Sequence, residues 1–221
     1  MEPTDDTWRD QVTDLLSTHV AELVYDRISL YNTRSICDSI DFVLRMPDAC
    51  SWGGKLFELG VHRVFRKGIK FEAQPLDDAL IVEIKTAKRE SSCYFHTLSV
   101  RAKPGSRKVG NQFLNQYLVP LSSTREAIDA AYISDDVTVF FQMTVFPSHK
   151  LNLEGITELT DELTAAAKKR ICIVFVVPDH EITVRNYQRQ TIVHPIGADQ
   201  DVLERAMGYK QCVYYFPMAK I

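Results

Sequence analysis

Two oxygen-bearing side chains of this sequence stand where a lone polar group is costly, and a third lies on a helix face. Asp129 falls mid-strand in Ala127-Ile128-Asp129-Ala130-Ala131, and a carboxylate among apolar neighbours needs a partner or a cation. Gln142 falls mid-strand in Phe140-Phe141-Gln142-Met143-Thr144-Val145, and a buried amide must find a hydrogen-bond partner. Glu58 precedes His62 by one helical turn, so the two share a face. Asp129 and Gln142 lie on consecutive segments joined by Ser134-Asp135-Asp136; paired as a hairpin, those segments bring the two side chains to one side. One Glu, one Asp and one amide carbonyl form an oxygen set for a hard divalent cation such as Mg2+ or Mn2+, which keeps water in its other positions. Such an ion polarises a phosphodiester and activates a water. Each residue also has a purely structural role open to it. Glu58 can be a solvated helix residue, Asp129 a loop cap, Gln142 a sheet-edge bond, and His62 a core imidazole whose pKa is raised by Glu58.

Other chemistries lack their residues. Gly53-Gly54-Lys55 has neither the leading glycine spacing nor the Ser/Thr of a phosphate-binding loop. There is no nucleophile elbow and no HExxH zinc motif. The 5 cysteines, Cys37, Cys50, Cys93, Cys172 and Cys212, are odd in number and scattered, with no CxxC pair. That pattern excludes a disulfide framework and a structural zinc, and fits reduced thiols in a cytosolic or nuclear setting.

The elements that must position these residues read as α/β. Trp8, Val12, Leu15, Leu16, His19 and Leu23 make one apolar stripe, which predicts a helical arm from Thr7 to about Leu23. A second helix is expected over Ser35–Arg45. Trp52-Gly53-Gly54 reads as punctuation before a helix Leu56–Arg66 that ends at Lys67-Gly68. Strands are expected at Lys70–Gln74, Leu80–Thr86, Cys93–Arg101, Ala127–Ile133 and Val137–Val145, whereas Asn111–Leu118 reads as a short helix or as nothing regular. Next comes a helix with Ile156, Leu159, Leu163 and Ala166 on one face, acidic residues leading and Lys168-Lys169-Arg170 trailing. The apolar strand Ile171–Val177 follows. The strand–helix–strand unit between about Asp135 and Asp179 predicts two parallel strands. The tail adds a strand at Thr191–His194, a helix at Asp199–Met207 and a strand at Cys212–Phe216.

With those elements in place, three segments resemble a known module: Gly54–His62; Tyr117-Leu118-Val119-Pro120 running on to Asp129; and Phe140–Val145 with Ser148-His149-Lys150 and Gly155-Ile156. In order and spacing they are similar to the C-terminal module of Crinkler effectors and of trypanosomal retrotransposon hot spot proteins. That module is a divergent restriction-endonuclease-like, or PD-(D/E)XK, nuclease. The resemblance covers roughly Trp52 to Asp179. It implies a mixed sheet flanked by helices over residues 51–221, with residues 1–50 as an N-terminal helical segment packed on it. It implies that Glu58 orients metal or water, that Asp129 binds the metal, and that Gln142 stands at the acidic or amide position of the (D/E/Q)xK element. The lysine of that element should fall at position 144, where this chain has Thr144. That lysine stabilises charge on the attacked phosphate or water, so His149 or Lys150 takes the role, or the site is weakened or dead. A rival assignment places the element at Glu83-Ile84-Lys85, with Asp77 and Asp78 before it. Its lysine is correct, but its sequel is another strand rather than a helix.

Composition bounds the partners. Of the 221 residues, 45% are hydrophobic and 25% charged, ordinary for a packed domain of this size. The net charge is −3 and the pI near 6.1, so any DNA contact must use a local basic patch such as Arg63–Lys70 or Arg101–Lys108. The longest apolar run is too short to span a bilayer, and Met1–Asp6 is no secretory signal. The expected setting is intracellular, nuclear or cytoplasmic, of the source cell or of a host; export would need a signal in a longer chain. The implied activity is Mg2+-dependent cleavage of DNA. The alternative is a catalytically degenerate nuclease fold that binds DNA or a partner protein.

Overall fold

An apolar run with no polar face must be covered on both sides, and Ile171–Pro178, buried at every position, lies inside a mixed sheet. The computed structural model describes residues 18–31, 37–38, 40, 42, 50–76, 82–85, 93–95, 116–120, 128–134, 137–146, 148–163, 170–179, 187–193, 200–201, 204 and 208–221. In chain order its elements are helices α1 (Thr18–Tyr31) and α2 (Cys50–Arg66), and strands β1 (Lys70–Pro75), β2 (Val82–Lys85) and β3 (Cys93–Phe95). Strands β4 (Gln116–Pro120), β5 (Ala130–Ile133), β6 (Thr138–Met143) and β7 (Leu151–Asn152) precede helix α3 (Leu153–Glu162). Strands β8 (Ile171–Pro178), β9 (Ile192–Val193) and β10 (Lys210–Phe216) and a 3-10 turn at Met218–Lys220 follow.

The sheet has 8 strands in the order β2-β1-β10-β8-β6-β5-β4-β3. Strands β6, β8 and β10 are parallel to one another. The hairpin β5–β6 and the pair β4–β5 are antiparallel, as are β1–β10 and β1–β2. Strand β3 runs parallel to β4. A separate parallel pair joins β7 to β9. The α/β class, the hairpin and the parallel β6–α3–β8 unit are as the sequence predicts.

Alternation sorts the side chains onto two faces. Cys172, Val174 and Val176 of β8 join Val139, Phe141 and Met143 of β6 in the core under α2, with Leu56, Phe57, Val61 and Phe65 from the helix. Ile171, Ile173, Phe175 and Val177 join Phe140 in a second core under α3, with Ile156, Leu159 and Leu163. Cys172 is core, as its apolar strand predicts. The centre of the first core is Phe65. Its ring lies 5.2 Å from Phe141, 5.5 Å from Phe71 and 5.6 Å from Tyr117. Helix α1 docks on α2 through Arg63, which pairs with Asp26 and lies over the Tyr25 ring at 4.3 Å.

Several boundaries differ from expectation. Helix α2 begins at Cys50, so Trp52-Gly53-Gly54 is helix and not punctuation. The apolar face of Leu56, Phe57, Val61 and Phe65 outweighs the poor helix propensity of two glycines, about 1 kcal/mol each. The helix stops as expected at Lys67-Gly68: Gly68 has φ 81° and its N–H donates to Phe65 O at 3.0 Å. Residues Gln116–Pro120, read as a short helix or as nothing regular, form β4, because both of its edges are paired. The first helix continues to Tyr31, eight residues past Leu23, since Tyr25 still faces the core. Strand β5 begins at Ala130, so Asp129 precedes it. Residues 7–17 of the arm, and Ala166 of the α3 face, lie outside the described residues. No described helix is long and apolar enough to cross a membrane.

Truncating Phe65 opens a cavity at the junction of α2 and the sheet. Phe65→Ala is expected to lower the unfolding free energy by about 3–5 kcal/mol, measured by urea denaturation; a loss below about 1 kcal/mol would contradict this packing.

Candidate functional site

The site lies at the open end of the β5–β6 hairpin. The pairing there ends at Ala130↔Phe141, yet the Asp129 N–H still donates to Phe141 O at 2.9 Å. Two residues of one strand thus face one residue of the other, the register of a β-bulge, which re-aims a side chain. The carboxylate of Asp129 folds across the hairpin end. Its Oδ2 accepts the Met143 backbone N–H at 2.5 Å and Gln142 Nε2 at 3.0 Å. The side chain replaces a carbonyl that a continuing β5 would have offered.

Glu58 approaches from α2. Its Oε1 accepts Lys55 Nζ at 2.8 Å and faces His62 Nε2 at a longer 3.5 Å. On the far side of the imidazole, Nδ1 lies 2.7 Å from the Tyr117 hydroxyl of β4. His62 is buried, whereas Glu58 and Lys55 are 23% and 29% exposed, so the cluster opens to solvent at its acidic end.

The titration behaviour follows from these contacts. Burial pushes the Asp129 carboxyl up, the nearby Glu58 charge adds to the push, and the Met143 N–H and Lys55 offset only part, leaving it at about 8. Burial also pushes Glu58 up, but the bond to His62 and the Lys55 charge outweigh it and hold Glu58 below the usual range. Burial depresses His62 despite the pull of Glu58, so the ring is neutral at pH 7. Burial, reinforced by Asp129, raises Tyr117 well above its ordinary value, so its hydroxyl keeps its proton.

The oxygens left over define what the site can do. Among the described residues, Glu58 Oε2 and Asp129 Oδ1 receive no hydrogen bond: each carboxylate has its donors on the other oxygen. Gln142 is 5% exposed and its Oε1 is buried with no partner, a condition that ordinarily costs about 1–3 kcal/mol. The two open oxygens belong to acids whose charges interact, and Asp129, protonated at neutral pH, would ionise beside a cation. No group of three His, Cys, Asp or Glu that could hold a metal occurs among the described residues. Two carboxyls suit an ion that binds through one or two carboxylates and water.

Of the residues singled out in the sequence, Asp129 and Gln142 are bonded to each other, and the Glu58 charge reaches Asp129, whereas Gln142 shares with Phe140 the sheet face away from α2. Gln142 presents its nitrogen, not its oxygen, to Asp129, so in this arrangement it orients the carboxylate. Lys150 is exposed, with no hydrogen bond or ion pair to another described residue. His149 is held through its backbone N–H, which donates to Gln190 Oε1 at 2.6 Å. Thr144, at the position of the expected lysine, is buried, and its Oγ1 accepts the Phe146 N–H at 3.1 Å. The rival Glu83-Ile84-Lys85 lies on the edge strand β2, with β1, β10 and β8 between it and β6. Four strand steps put it roughly 19 Å away, and Asp77 and Asp78 lie outside the described residues. Sequence reading missed Lys55 and Tyr117. The spacing of Lys55 and Glu58, one turn apart on a helix, was a usable signal; Tyr117 is separated from His62 by 55 positions and left none.

No family model, curated protein or solved structure matches this chain.

The raised carboxyl sets a pH dependence. Folded Asp129 binds its proton up to about 8, whereas an ordinary aspartate releases it near 3.8. Between those values the folded state holds the extra proton, so stability falls as pH rises. With chelator present, the wild type should lose stability from about pH 4 to 8. Asp129→Asn, whose amide oxygen still accepts from Met143, should flatten that decline; parallel pH–stability curves from thermal melts would contradict it.

Proposed function

We propose that this chain is a metal-dependent nuclease of restriction-endonuclease-like architecture that hydrolyses DNA phosphodiesters at the Glu58–Asp129 site. The observation that carries the reading is the pair of acids Glu58 and Asp129, whose charges interact and each of which has one oxygen fixed and one open. The resemblance to Crinkler and retrotransposon hot spot modules supports the same three residues in the same order. The parallel β6–α3–β8 unit is the strand–helix–strand that such a core requires.

In this reading Glu58 and Asp129 would hold Mg2+ or Mn2+, with Gln142, expected from the sequence as a third ligand, orienting Asp129 instead; the ion would supply Lewis-acid polarisation of the phosphate and an acidified water. The protein's own groups do the rest. Met143 N–H and Gln142 Nε2 fix the Asp129 carboxylate, and the bulge turns it toward α2. Lys55, already at 2.8 Å from Glu58, is the ammonium that meets phosphate charge, in place of a lysine at position 144 and ahead of Lys150 and His149. A second reading, a nuclease fold that only binds DNA or a partner protein, is favoured by one feature: the Thr144 hydroxyl is committed to the Phe146 N–H and carries no charge.

The test is cleavage of plasmid and single-stranded DNA with and without Mg2+ or Mn2+. Wild type is expected to cut in a metal-dependent way, and Asp129→Ala to lose at least ~100-fold in rate, the scale of removing one preorganised electrostatic group. A salt-sensitive mobility shift without cleavage would instead establish binding alone, and neither result would point to a protein partner.

Lysine assignment gives a separate expectation. Lys55→Met should cut the single-turnover cleavage rate by ~100-fold, whereas Lys150→Met should change it little; the reverse order would return the role to Lys150.

A further inference from the structure

Glu58 is gripped through one oxygen only. Lys55 Nζ bonds Oε1 at 2.8 Å from the exposed side, and His62 Nε2 faces the same Oε1 at 3.5 Å from the buried side. The imidazole is itself held from β4, with Nδ1 at 2.7 Å from the Tyr117 hydroxyl. The two rings pack tilted at 5.9 Å, and Tyr117 also packs on Phe65 at 5.6 Å and Phe141 at 5.9 Å.

A neutral imidazole carries one proton, and its placement is decided by what each nitrogen faces. Were that proton on Nδ1, the Nε2 lone pair would point at a carboxylate oxygen, lone pair against lone pair. With the proton on Nε2, Tyr117 donates to Nδ1, and Nε2–H faces Glu58 Oε1 in a favourable charge contact that is longer than a hydrogen bond. The Glu58 charge thereby selects the Nε2–H tautomer, the Tyr117 hydroxyl supports it by donating to Nδ1 and holds the ring in place, and the held ring helps to orient the carboxylate. The oxygen left open is Oε2.

We propose that Tyr117 and His62 are positioning residues that lock the Glu58 carboxylate with Oε2 presented to a divalent cation. The assignment rests on the metal site proposed above. It gives His62 a role beyond filling the core, and it extends the site from α2 to β4, four residues that touch in space across 63 positions of sequence from Lys55 to Tyr117. Partners of this kind typically contribute 10- to 100-fold to metal affinity by holding a ligand in one orientation.

Two measurements on the full chain test it. Nitrogen-15 NMR of the His62 ring, with no metal present, should show the Nε2–H tautomer in the wild type and a shift toward a mixed population in Tyr117→Phe, which keeps the aromatic packing. Titration with Mn2+ alone, followed by the electron paramagnetic resonance of the free ion, should show about 10-fold weaker binding in Tyr117→Phe and His62→Leu. His62→Gln, whose amide N–H can still reach Glu58, should recover most of the affinity. A purely structural role predicts the same loss for Gln as for Leu. An Nδ1–H tautomer in the wild type overturns the inference whatever the metal does. Wild-type Mn2+ binding that Tyr117→Phe leaves within twofold overturns it and leaves the nuclease reading standing. Absence of Mn2+ binding in the wild type, or binding that Asp129→Ala does not weaken, overturns both.

Discussion

The repulsion between two carboxylates at the end of the β5–β6 hairpin is the constraint around which the site is organised. Glu58 and Asp129 are the same kind of acid, yet their surroundings drive them apart. Glu58 has an ammonium and an imidazole on one oxygen and titrates low. Asp129 has only a backbone N–H and an amide, is more deeply enclosed, and titrates near 8. Burial of a like-charged pair gains the fold nothing by itself, and environments that separate two like acids in this way are the arrangement the proposed site would use. The raised value of Asp129 belongs to the metal-free protein. A divalent charge between the two acids would reverse the balance and favour the ionised form of both.

Holding that arrangement requires rigidity from elements far apart in the chain. Helix α2 carries Lys55, Glu58 and His62, and its placement depends on Phe65, whose ring touches residues of β1, β4 and β6. The C-terminus contributes too. A Cβ at Gly60 would stand 2.9 Å from Ile221 Cδ1, so the bare glycine lets the last residue lie against the helix two positions from both Glu58 and His62. The helix is thus braced by the sheet below and the chain end beside it. Interiors packed in this way transmit small displacements instead of absorbing them, which is what a site defined by a few tenths of an ångström demands.

Much of this architecture was legible because the pattern was unambiguous. The alternating and fully apolar segments of β6 and β8 cannot be placed at a surface, and the amphipathic α3 between them leaves a parallel crossover as the natural solution. Asp129 and Gln142 stood out as polar groups in apolar company, and they are bonded to each other. The misses have physical causes. The start of α2 was hidden by Gly53-Gly54, where tertiary packing overrides propensity. Strand β4 was hidden because Gln116–Pro120 has too few residues to show a period; it is a strand through its partners on both edges. The bulge at Asp129 is set by how β5 meets β6, and no single-strand pattern encodes it. Tyr117 was invisible for the same reason, since the proximity of β4 and α2 is a property of the sheet order.

In the proposed nuclease, Thr144 stands where the resemblance calls for a lysine, and the proposed site would have to find its positive charge elsewhere. A lysine at position 144 would place an ammonium where the side chain is now 4% exposed, and an unpaired buried charge is far costlier than a hydroxyl with a local acceptor role. The threonine instead holds the Phe146 N–H and ends the strand. In the proposed site that charge would come from Lys55 on the neighbouring helix, three residues before Glu58, where the head is partly solvated. Because Lys55 and Glu58 share one helical turn, any movement of α2 carries the acid and its counter-charge together. The charge balance at the acidic end therefore depends on a single turn of helix, and β6 need supply only a backbone N–H and an amide.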